Sequence, residues 1–281
     1  MNLVISSEKI ANPLLIKLLR HLHDTFVKMD HDFYVIGATA RDIIIRALSD
    51  ESARRKTLDL DIAIAVTGWD KYDEISHALV AAGYEKSGHQ KQRFYYGDYE
   101  VDVVPFGSVA KDDENIYWPP EETIAMSVKG FDEVLKNAVT VRIDNDFDVR
   151  IASLHGLFIL KLNAWLDRHL TTNKDAEDMW YIIDTYYFAN ENRNIHPEVY
   201  ELENFTLTVS GAYWLAHDIA DLVSKEHLKF YCDALCNEVA REENSRLLTQ
   251  IIETHRNVSL QDVADSLNTI INVWKNKTEE L

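Results

Sequence analysis

Hydrophobic and polar positions alternate strictly in one short stretch of the chain, residues 57–66. Leucine and isoleucine side chains fall on one side of an extended backbone, and Asp59 and Asp61 fall on the other. The alternation therefore predicts a strand with one apolar face and one polar face. Two carboxylates on one face repel each other unless water or a cation lies between them. At this point a divalent-metal site and a solvated face both explain the pattern.

The rest of the first 150 residues alternates between helical and extended periodicity. Asn12 and Pro13 are a typical N-cap and first residue of a helix, and Gly97-Asp98 is a tight-turn dipeptide between two apolar runs. The stretch 107–127 predicts a loop followed by a short helical turn. The pattern predicts helices over 12–29, 41–48 and 69–82, strands over 33–36 and 57–66, and hairpins over 92–106 and 139–151.

From Ser153 onward the periodicity is helical, apart from a break at 190–208. The composition shift near residue 150 predicts an α+β fold. A mixed sheet with flanking helices, residues 1–150, is followed by an all-α helical domain, residues 151–281. The predicted helices of the second part are 153–169, 174–188, 210–223, 226–255 (as one helix or two) and 260–275.

A third carboxylate, Asp102, lies in the middle of the apolar run Val101-Asp102-Val103-Val104. A buried carboxylate is costly unless it is paired with a cation or binds a metal. Its position on a second predicted strand favours a metal site over a solvated face for Asp59 and Asp61. The eleven histidines, by contrast, show no spacing typical of metal ligands.

Composition and charge limit the classes of function. The chain has 281 residues, 46% of them hydrophobic, and no apolar run long enough to span a bilayer. It lacks a signal-peptide pattern, and its two cysteines, Cys232 and Cys236, lie four residues apart in a helical pattern, so we expect a soluble cytoplasmic protein without a membrane partner.

The net charge of −18 is spread over both halves of the chain. It excludes a protein that coats extended nucleic acid by neutralising phosphates, while contact with one end of a nucleic acid stays open. The basic cluster Arg54-Arg55-Lys56 is either a solvated loop or a contact for a substrate phosphate.

Three motifs in this order resemble the nucleotidyltransferase superfamily. They are Ile36-Gly37-Ala38 after a short strand, Asp59-Leu60-Asp61 on the alternating strand, and the single Asp102 on a later strand. The chain departs from the family pattern at Ala38, where Gly or Ser is usual, although this position chiefly offers backbone N–H groups. The resemblance implies a polymerase-β-like fold with two Mg²⁺ (or Mn²⁺) ions and an NTP as substrate.

A second pair of motifs resembles the AbiEii-like nucleotidyltransferases. The segment from Lys161 to Arg168 matches Lys-x-x-Ala-x-x-x-Arg, and the segment from Lys174 to Asp178 matches Lys-Asp-x-x-Asp. All the motifs together cover residues 33–180. The branch includes toxins of toxin–antitoxin and phage-defence systems, so the resemblance implies a toxin that acts on tRNA, with an antitoxin protein as partner.

The resemblance and the chemistry of nucleotidyl transfer imply a role for each residue. Asp59 and Asp61 would bridge two ions, and Asp102 would hold the ion on the nucleophile side and help draw off the acceptor proton. The turn Gly37-Ala38-Thr39 would present N–H groups to the β- and γ-phosphates. Lys161 would neutralise triphosphate charge from the second domain, with the nucleotide in a cleft between domains. Asp175 would also contribute to NTP binding, and the supporting residues are Arg41, Arg168, Lys174 and Asp178.

Several of these residues have an equally good structural explanation. Arg168, Lys174, Asp175 and Asp178 could form a salt-bridge network that positions the helices, and Arg41 could form a surface ion pair with the neighbouring aspartate. The motif context favours phosphate binding for Lys161 over an ordinary surface lysine.

The sequence thus predicts a metal-dependent nucleotidyltransferase that moves an NMP from an NTP to an acceptor hydroxyl and releases pyrophosphate. The acceptor stays open between the 3′ end of tRNA, a protein side chain and a small molecule of the antibiotic type. One alternative is a non-catalytic nucleotide-binding regulatory module of the same fold. Another is a toxin half that is held silent by a separate antitoxin.

Overall fold

The structure is a computed structural model that describes residues 2–10, 12–49, 58–122, 125–193, 196–255 and 257–279. The chain divides into two compact units, Met1–Ser153 and Leu154–Leu281. The basic cluster Arg54-Arg55-Lys56, and with it Thr57, lies outside the described residues.

The first unit combines strands with four α-helices in its described part. The helices are α1 (Pro13–Lys28), α2 (Gly37–Leu48), α3 (Trp69–Ala81) and α4 (Phe131–Lys136). The strands are β1 (Asn2–Ile5), β2 (Tyr34–Ile36), β3 (Asp59–Ala65), β4 (Glu85–Lys86), β5 (Arg93–Tyr96), β6 (Tyr99–Phe106), β7 (Asn115–Tyr117), β8 (Ala125–Ser127), β9 (Val139–Ile143) and β10 (Phe147–Ile151).

A mixed sheet with the strand order β1-β9-β10-β2-β3-β6-β5-β4 forms the framework of this unit. β3 lies inside the sheet, antiparallel to β2 and parallel to β6. Leu60, Ile62 and Ile64 of β3 are completely buried on one face. Helix α1 covers the same face further along, where its Arg20 side chain lies over the ring of Phe147 on β10. The apolar half of the alternating pattern therefore faces the core.

The second unit is helical throughout its described residues. Its core contains Trp180, Trp214 and Trp274, and the Trp274 indole N–H donates a hydrogen bond of 3.0 Å to the Ala216 carbonyl, which joins two of the helices. The α-helices are α5 (Leu154–Arg168), α6 (Lys174–Asn190), α7 (Leu207–Leu222), α8 (Lys225–Val239), α9 (Arg246–Thr254) and α10 (Leu260–Glu279).

The predicted helix over 226–255 is two helices, and a buried carboxylate explains the break. Glu238, near the end of α8, accepts hydrogen bonds from the Ser245 hydroxyl at 3.0 Å and from the Leu247 backbone N–H at 3.1 Å. Ser245 itself caps α9 by accepting from the Leu248 N–H. The first N–H groups of α9 thus have polar partners inside the fold, which lets the chain start a second helix there.

The α+β fold class and the mixed sheet are confirmed, two local predictions are wrong, and one strand was not predicted. Helix α2 begins at Gly37, four residues before the predicted start, because Gly37 adopts a φ of +72° and turns the chain directly into the helix. The stretch 107–127 contains both β7 and β8, which pair with each other, in place of the predicted helical turn. The edge strand β1 carries no local signal, since its partner β9 is far away in sequence. Among the described helices, none is both long and apolar enough to cross a membrane.

Candidate active site

Asp59 and Asp61 lie on the polar face of β3. Asp59 is exposed and Asp61 is partly exposed, whereas Leu60 between them is completely buried. The alternation that the sequence predicts is therefore present in the folded strand. A neighbouring strand is needed to decide whether these carboxylates belong to a larger group.

Strand β6 supplies that group. Its register against β3 is parallel, and it places Glu100 beside Asp59 and Asp102 beside Asp61. Because neighbouring residues in register point to the same face of a sheet, four carboxylates project together. We call this side of the sheet, defined by Asp59, Asp61, Glu100 and Asp102, the carboxylate face. The structure thus brings the three predicted aspartates together on one face.

Arg93 on β5 is the cationic partner on the carboxylate face. Its Nε lies 2.7 Å from Asp102 Oδ1 and its Nη2 lies 2.8 Å from Asp102 Oδ2, which is a bidentate pair. Its Nη1 also forms an ion pair with Glu100. The hydrogen bonds with Asp102 raise the pKa of Arg93 above its usual value, although its partial burial acts in the opposite direction. Arg93 therefore holds Asp102 in a fixed orientation.

Sequence reasoning missed both Arg93 and Glu100, although a signal for each exists. The two-residue turn Gly97-Asp98 fixes the hairpin register, which places Arg93 opposite Asp102. Glu100 lies two residues before Asp102, so it must project from the same face of the strand. The hairpin register therefore predicts that Arg93 and Glu100 lie beside Asp102.

Gly37 lies directly against the carboxylate of Asp61. A Cβ atom built on Gly37 would come within 2.9 Å of Asp61 Cγ and closer still to Oδ2. The position also requires a positive φ, so glycine is needed for both space and backbone conformation. Gly37 is the first residue of α2, and no side chain caps this helix start. The backbone N–H groups of the first turn therefore begin next to Asp61.

Thr39 fixes α2 to β3. Its hydroxyl donates a hydrogen bond of 3.1 Å to the carbonyl of Asp59, and its side chain is buried. The hydroxyl proton is thus used within the fold, while Ala38 before it is partly exposed. Phosphate contacts from Ala38 and Thr39 stay predictions, and they would involve backbone N–H groups.

Arg41 forms a nearly buried pair with Asp42. Its Nε and Nη2 lie 2.8 Å and 2.6 Å from Asp42 Oδ1, and the two side chains are 7% and 12% exposed. The pairing that the sequence offered as an alternative is present, but it is buried and not on the surface. The pair lies within the first turns of α2 and neutralises two charges that would otherwise be buried unpaired, and a contact of Arg41 with phosphate stays a prediction.

Lys161 and Arg168 of α5 bind two aspartates of α6. Lys161 Nζ lies 2.8 Å from Asp178 Oδ2 and 3.3 Å from Asp175 Oδ1. Arg168 binds Asp175 through both of its oxygens, at 2.7 Å and 2.9 Å. Lys174 begins α6 as an exposed residue beside this group. We call Lys161, Arg168, Asp175 and Asp178 the α5–α6 network.

Asp175 is the buried centre of this network, with a side chain that is 1% exposed. Burial alone would raise the pKa of Asp175, but the hydrogen bond from Arg168 and the charges of Lys161 and Arg168 outweigh it and bring the pKa below its usual value. The contacts thus join Arg168, Asp175 and Asp178, three of the four residues of the predicted salt-bridge network, with Lys161. Direct roles for Lys161 and Asp175 in NTP binding stay predictions.

The donor chemistry of the carboxylate face fits a hard divalent cation. Magnesium and manganese prefer carboxylate oxygens and water, and carboxylates on neighbouring strands about 5 Å apart can bind one ion together. Within the described ranges one set of potential ligands has already converged to within 4.8 Å, and that set lies in the second unit. On the carboxylate face, side chains would have to rotate towards an ion. The two predicted ions stay a prediction.

Comparisons with known proteins show structural likeness at low similarity. No protein-family model and no curated protein sequence matches the chain. Two structures of the antibiotic-resistance factor ANT(2'')-Ia, an aminoglycoside nucleotidyltransferase, are similar to it, one in solution and one in a crystal with adenylyl-2''-tobramycin. The crystal structure of JHP933 from Helicobacter pylori is also similar.

The solution structure of ANT(2'')-Ia has a TM-score of 0.37 at 11% identity, over 64% of this chain and 85% of that one. Its crystal structure has a TM-score of 0.36 at 13% identity, over 70% and 97%. JHP933 has a TM-score of 0.36 at 15% identity, over 94% and 91%. Because every TM-score lies below 0.5, nothing about the chemistry of this chain follows from these similarities.

Proposed function

We propose that the chain is a metal-dependent nucleotidyltransferase. The observation that supports this most is the placement of Asp59, Asp61 and Asp102 on one open sheet face, with the uncapped start of α2 at Gly37 in contact with Asp61. Carboxylates that hold cations and N–H groups that bind phosphate are the two kinds of group that an NTP-dependent transfer needs at one place.

The proposed reaction is an in-line displacement at the α-phosphorus of an NTP. The acceptor oxygen forms a new P–O bond, the bond to the bridging oxygen of the β-phosphate breaks, and pyrophosphate leaves. Bound Mg²⁺ or Mn²⁺ would stabilise the negative charge that grows on the transferring phosphoryl group and on the leaving oxygen. Asp59, Asp61 and Asp102 would hold the cations.

Asp102 would also accept the proton of the acceptor hydroxyl. A carboxylate has about four lone-pair directions, and the bidentate contact with Arg93 uses two of them. The remaining directions are those available for a cation and for the proton. In this proposal Arg93 positions Asp102 and does not touch the nucleotide.

The NTP phosphates would bind at the start of α2. Gly37, Ala38 and Thr39 would offer backbone N–H groups to the β- and γ-phosphates, and the helix dipole favours an anion there. Arg41 would support this position from within its pair with Asp42. Ala38 in place of Gly or Ser leaves the N–H group unchanged, so the exchange is compatible with phosphate binding.

Lys161 is proposed as the cationic contact of the second unit for the triphosphate. Its position is fixed by Asp178 and by Asp175, which Arg168 holds in turn. Phosphate oxygens would replace part of this carboxylate contact when an NTP binds. Lys174, Arg168 and Asp178 are then positioning residues.

The acceptor class is proposed from the charge of the chain. A net charge of −18 opposes binding along an extended polyanion, so a small molecule with a hydroxyl group, or a single RNA end, is favoured as acceptor. Because the motifs resemble those of AbiEii-like toxins, the RNA end that we propose as acceptor is the 3′ end of tRNA. The same resemblance makes an antitoxin protein the expected partner.

A labelling assay tests the proposal. The full chain is incubated with Mg²⁺ or Mn²⁺, with α-labelled ATP, CTP, GTP or UTP, and with one of three acceptor classes: total tRNA, total protein or aminoglycosides. We expect one acceptor class to become labelled, and Asp59→Ala and Asp61→Ala to reduce labelling by at least about 100-fold. Asp148→Ala is the matched control, since Asp148 lies on the same face of the sheet two strands from β3 and binds Arg142. Wild-type labelling that the first two substitutions leave unchanged would contradict the proposal.

A second candidate function is nucleotide binding without transfer. It is favoured by the bidentate Arg93 contact, which neutralises Asp102, and by Ala38. Two results together would support nucleotide binding without transfer. Calorimetry would show that an NTP binds, and no pyrophosphate would be released with any of the acceptors. Pyrophosphate release together with acceptor labelling would exclude it.

A further inference from the structure

A second group of metal-ligating side chains lies in the helical unit, away from the carboxylate face in sequence. His196, Glu198 and His217 each place one ligand atom within 4.8 Å of the others. No other set of three or more histidine, cysteine or acidic side chains within the described ranges meets this distance. We infer that His196, Glu198 and His217 bind one divalent transition-metal ion such as Zn²⁺.

The local backbone brings His196 and Glu198 to the same side. His196 adopts a left-handed conformation with a φ of +51°, and Pro197 starts the short 3-10 helix Pro197–Glu201 directly after it. This tight start places His196 Nδ1 3.1 Å from Glu198 Oε1. A non-glycine residue in this conformation is uncommon and is tolerated where the surroundings hold it. The loop thus presents two ligands at a spacing of His-x-Glu.

Helix α7 supplies the third ligand. The His217 ring lies 3.8 Å from the His196 ring, centroid to centroid, and the two planes are within 22° of parallel. His217 Nε2 is buried and has no hydrogen-bond partner among the residues that the structure describes. A buried ring nitrogen without a partner costs free energy, and coordination to a metal would satisfy it.

A tyrosine on the same helix orients the carboxylate ligand. The Tyr213 hydroxyl donates a hydrogen bond of 3.1 Å to Glu198 Oε1. Tyr213 and His217 lie one helical turn apart on α7, and their rings are 4.7 Å apart. Metal ligands in proteins are commonly held by such an outer hydrogen bond, which fixes the ligand before the ion arrives. Tyr213 is thus a positioning residue.

The donor set selects the class of metal. Two imidazoles and one carboxylate suit Zn²⁺, Co²⁺ or Ni²⁺, whereas Mg²⁺ and Ca²⁺ prefer oxygen ligands alone. Ligands on a tetrahedral Zn²⁺ lie about 3.4 Å apart, so the ligand atoms would have to approach by about 1 Å. The stacked imidazole rings would also have to rotate, because a bound metal lies in the plane of each ring. The carboxylate face, with oxygen donors only, would not compete for such an ion at low concentration.

A cavity lies beside His217, one of the three proposed ligands. His217 and Tyr213 line a cavity of about 460 Å³, and α10 lines its other side with Asn268, Asn272 and Lys277. Three protein ligands leave one position open on a tetrahedral ion. Water that enters this cavity would fill the position, and Asp265 on the cavity lining offsets the charge of Lys277.

The test uses the full chain, stripped of metal with a chelator and kept in millimolar Mg²⁺ so that the carboxylate face is supplied. Co²⁺ is titrated and followed by its visible absorption, and Zn²⁺ is titrated by calorimetry. We expect one Co²⁺ or Zn²⁺ per chain and at least about a 10-fold weaker affinity in His217→Gln, His196→Gln and Glu198→Gln. His89→Gln, an exposed histidine of the first unit, is the matched control and is expected to bind as wild type does.

Three results would overturn the inference. The first is a wild-type chain that does not bind Zn²⁺ or Co²⁺ stoichiometrically. The second is binding that His196→Gln and Glu198→Gln retain in full, with circular dichroism showing that both variants are folded. Asp61→Ala must leave Zn²⁺ binding unchanged, because loss in that variant would place the ion on the carboxylate face.

Discussion

Gly37 and Asp61 occupy a space that leaves no room for a Cβ atom on residue 37. The backbone at the start of α2 therefore touches the carboxylate that the sequence assigns to metal binding. This contact joins the two halves of the proposed site, the N–H groups for phosphate and the carboxylates for cations. The first prediction tests whether the contact is needed.

Gly37→Ala is expected to lower transferase activity by at least about 10-fold and the free energy of unfolding by about 1–3 kcal/mol, because the new methyl group forces Asp61 aside and φ is positive. Chemical denaturation and the labelling assay measure the two effects. Gly88→Ala is the control, since a Cβ there would meet nothing within 4 Å. Equal behaviour of the two variants would show that the contact has no role.

Arg93 offers a sharper comparison because the sheet contains a second pair of the same geometry. Arg142 binds Asp148 with distances of 2.7 Å and 2.8 Å, as Arg93 binds Asp102, but the Arg142 pair is exposed. Arg93→Met should cost about 1–3 kcal/mol, since it leaves the partly buried Asp102 without this partner, and should reduce the turnover number. Arg142→Met should lower the free energy of unfolding by much less than Arg93→Met and leave turnover unchanged.

Denaturation in urea and steady-state kinetics separate these outcomes. A stability loss in Arg93→Met without a change in turnover would mean that Arg93 only holds the hairpin. An unchanged turnover would therefore remove Arg93 from the proposed mechanism while leaving its structural contact intact.

The α5–α6 network predicts a large cost for removing its buried carboxylate. Asp175→Ala leaves Lys161 and Arg168 without their shared partner and is expected to lower the free energy of unfolding by about 3–5 kcal/mol. Asp233→Ala removes an exposed pair with Lys229 in the same unit and should cost at most about 0.5 kcal/mol.

Lys161→Met and Lys161→Arg then distinguish a phosphate contact from a purely structural one. If Lys161 binds the triphosphate, the KM for NTP rises in Lys161→Met. In Lys161→Arg it stays closer to the wild-type value, because the positive charge is kept. A KM that is the same in wild type and in Lys161→Met would contradict the proposed role.

His155 predicts how stability depends on pH. Burial lowers the pKa of His155 to about 4; the nearby Asp218 charge opposes this shift, and the Arg193 charge adds to it. Between pH 6.5 and 4 the unfolded chain holds a proton on this residue that the folded chain lacks, so stability falls as the pH falls through this window. Because the side chain is partly exposed, the expected loss is about 1–3 kcal/mol.

Denaturation of the wild type and of His155→Gln at several pH values between 4 and 7 measures this effect. The variant should lose less stability on acidification than the wild type. Burial also lowers the pKa of His31 and of His217, so a smaller decline remains in the variant. Parallel curves for the two proteins would contradict the assignment.

Local patterns predicted the elements that local chemistry determines. Strand β3 and the hairpin of β5 and β6 follow from strict alternation and a two-residue turn, which fix both the faces and the register. Asp59 and Asp61 could therefore be placed on one face before the structure was known, whereas the position of Asp102 beside Asp61 depends on the parallel pairing of β3 with β6. Spacing within one helix places Lys161 and Arg168 on a face of α5 and Asp175 and Asp178 on a face of α6, but the pairs Lys161–Asp178 and Arg168–Asp175 depend on the packing of the two helices.

What could not be predicted depends on distant parts of the chain. The edge strand β1 forms only because β9 offers it a parallel partner, and such pairing leaves no mark on a four-residue segment. The contact of Gly37 with Asp61 needs the crossing of α2 over β3. The contact between His196 and His217 depends on the packing of a loop on α7, so the spacing of these residues in the sequence does not predict it.

The most direct test of metal-dependent nucleotidyl transfer is the rate of pyrophosphate release, measured with the acceptor class that becomes labelled in the assay above. The rate is compared between wild type, Asp61→Asn and Asp148→Asn. Asparagine keeps the shape of aspartate and removes its charge, so the fold is preserved while the cation ligand is lost. We expect wild type and Asp148→Asn to release pyrophosphate, and Asp61→Asn to release it at a rate lower by at least about 100-fold. Equal rates in all three proteins would contradict the proposed function.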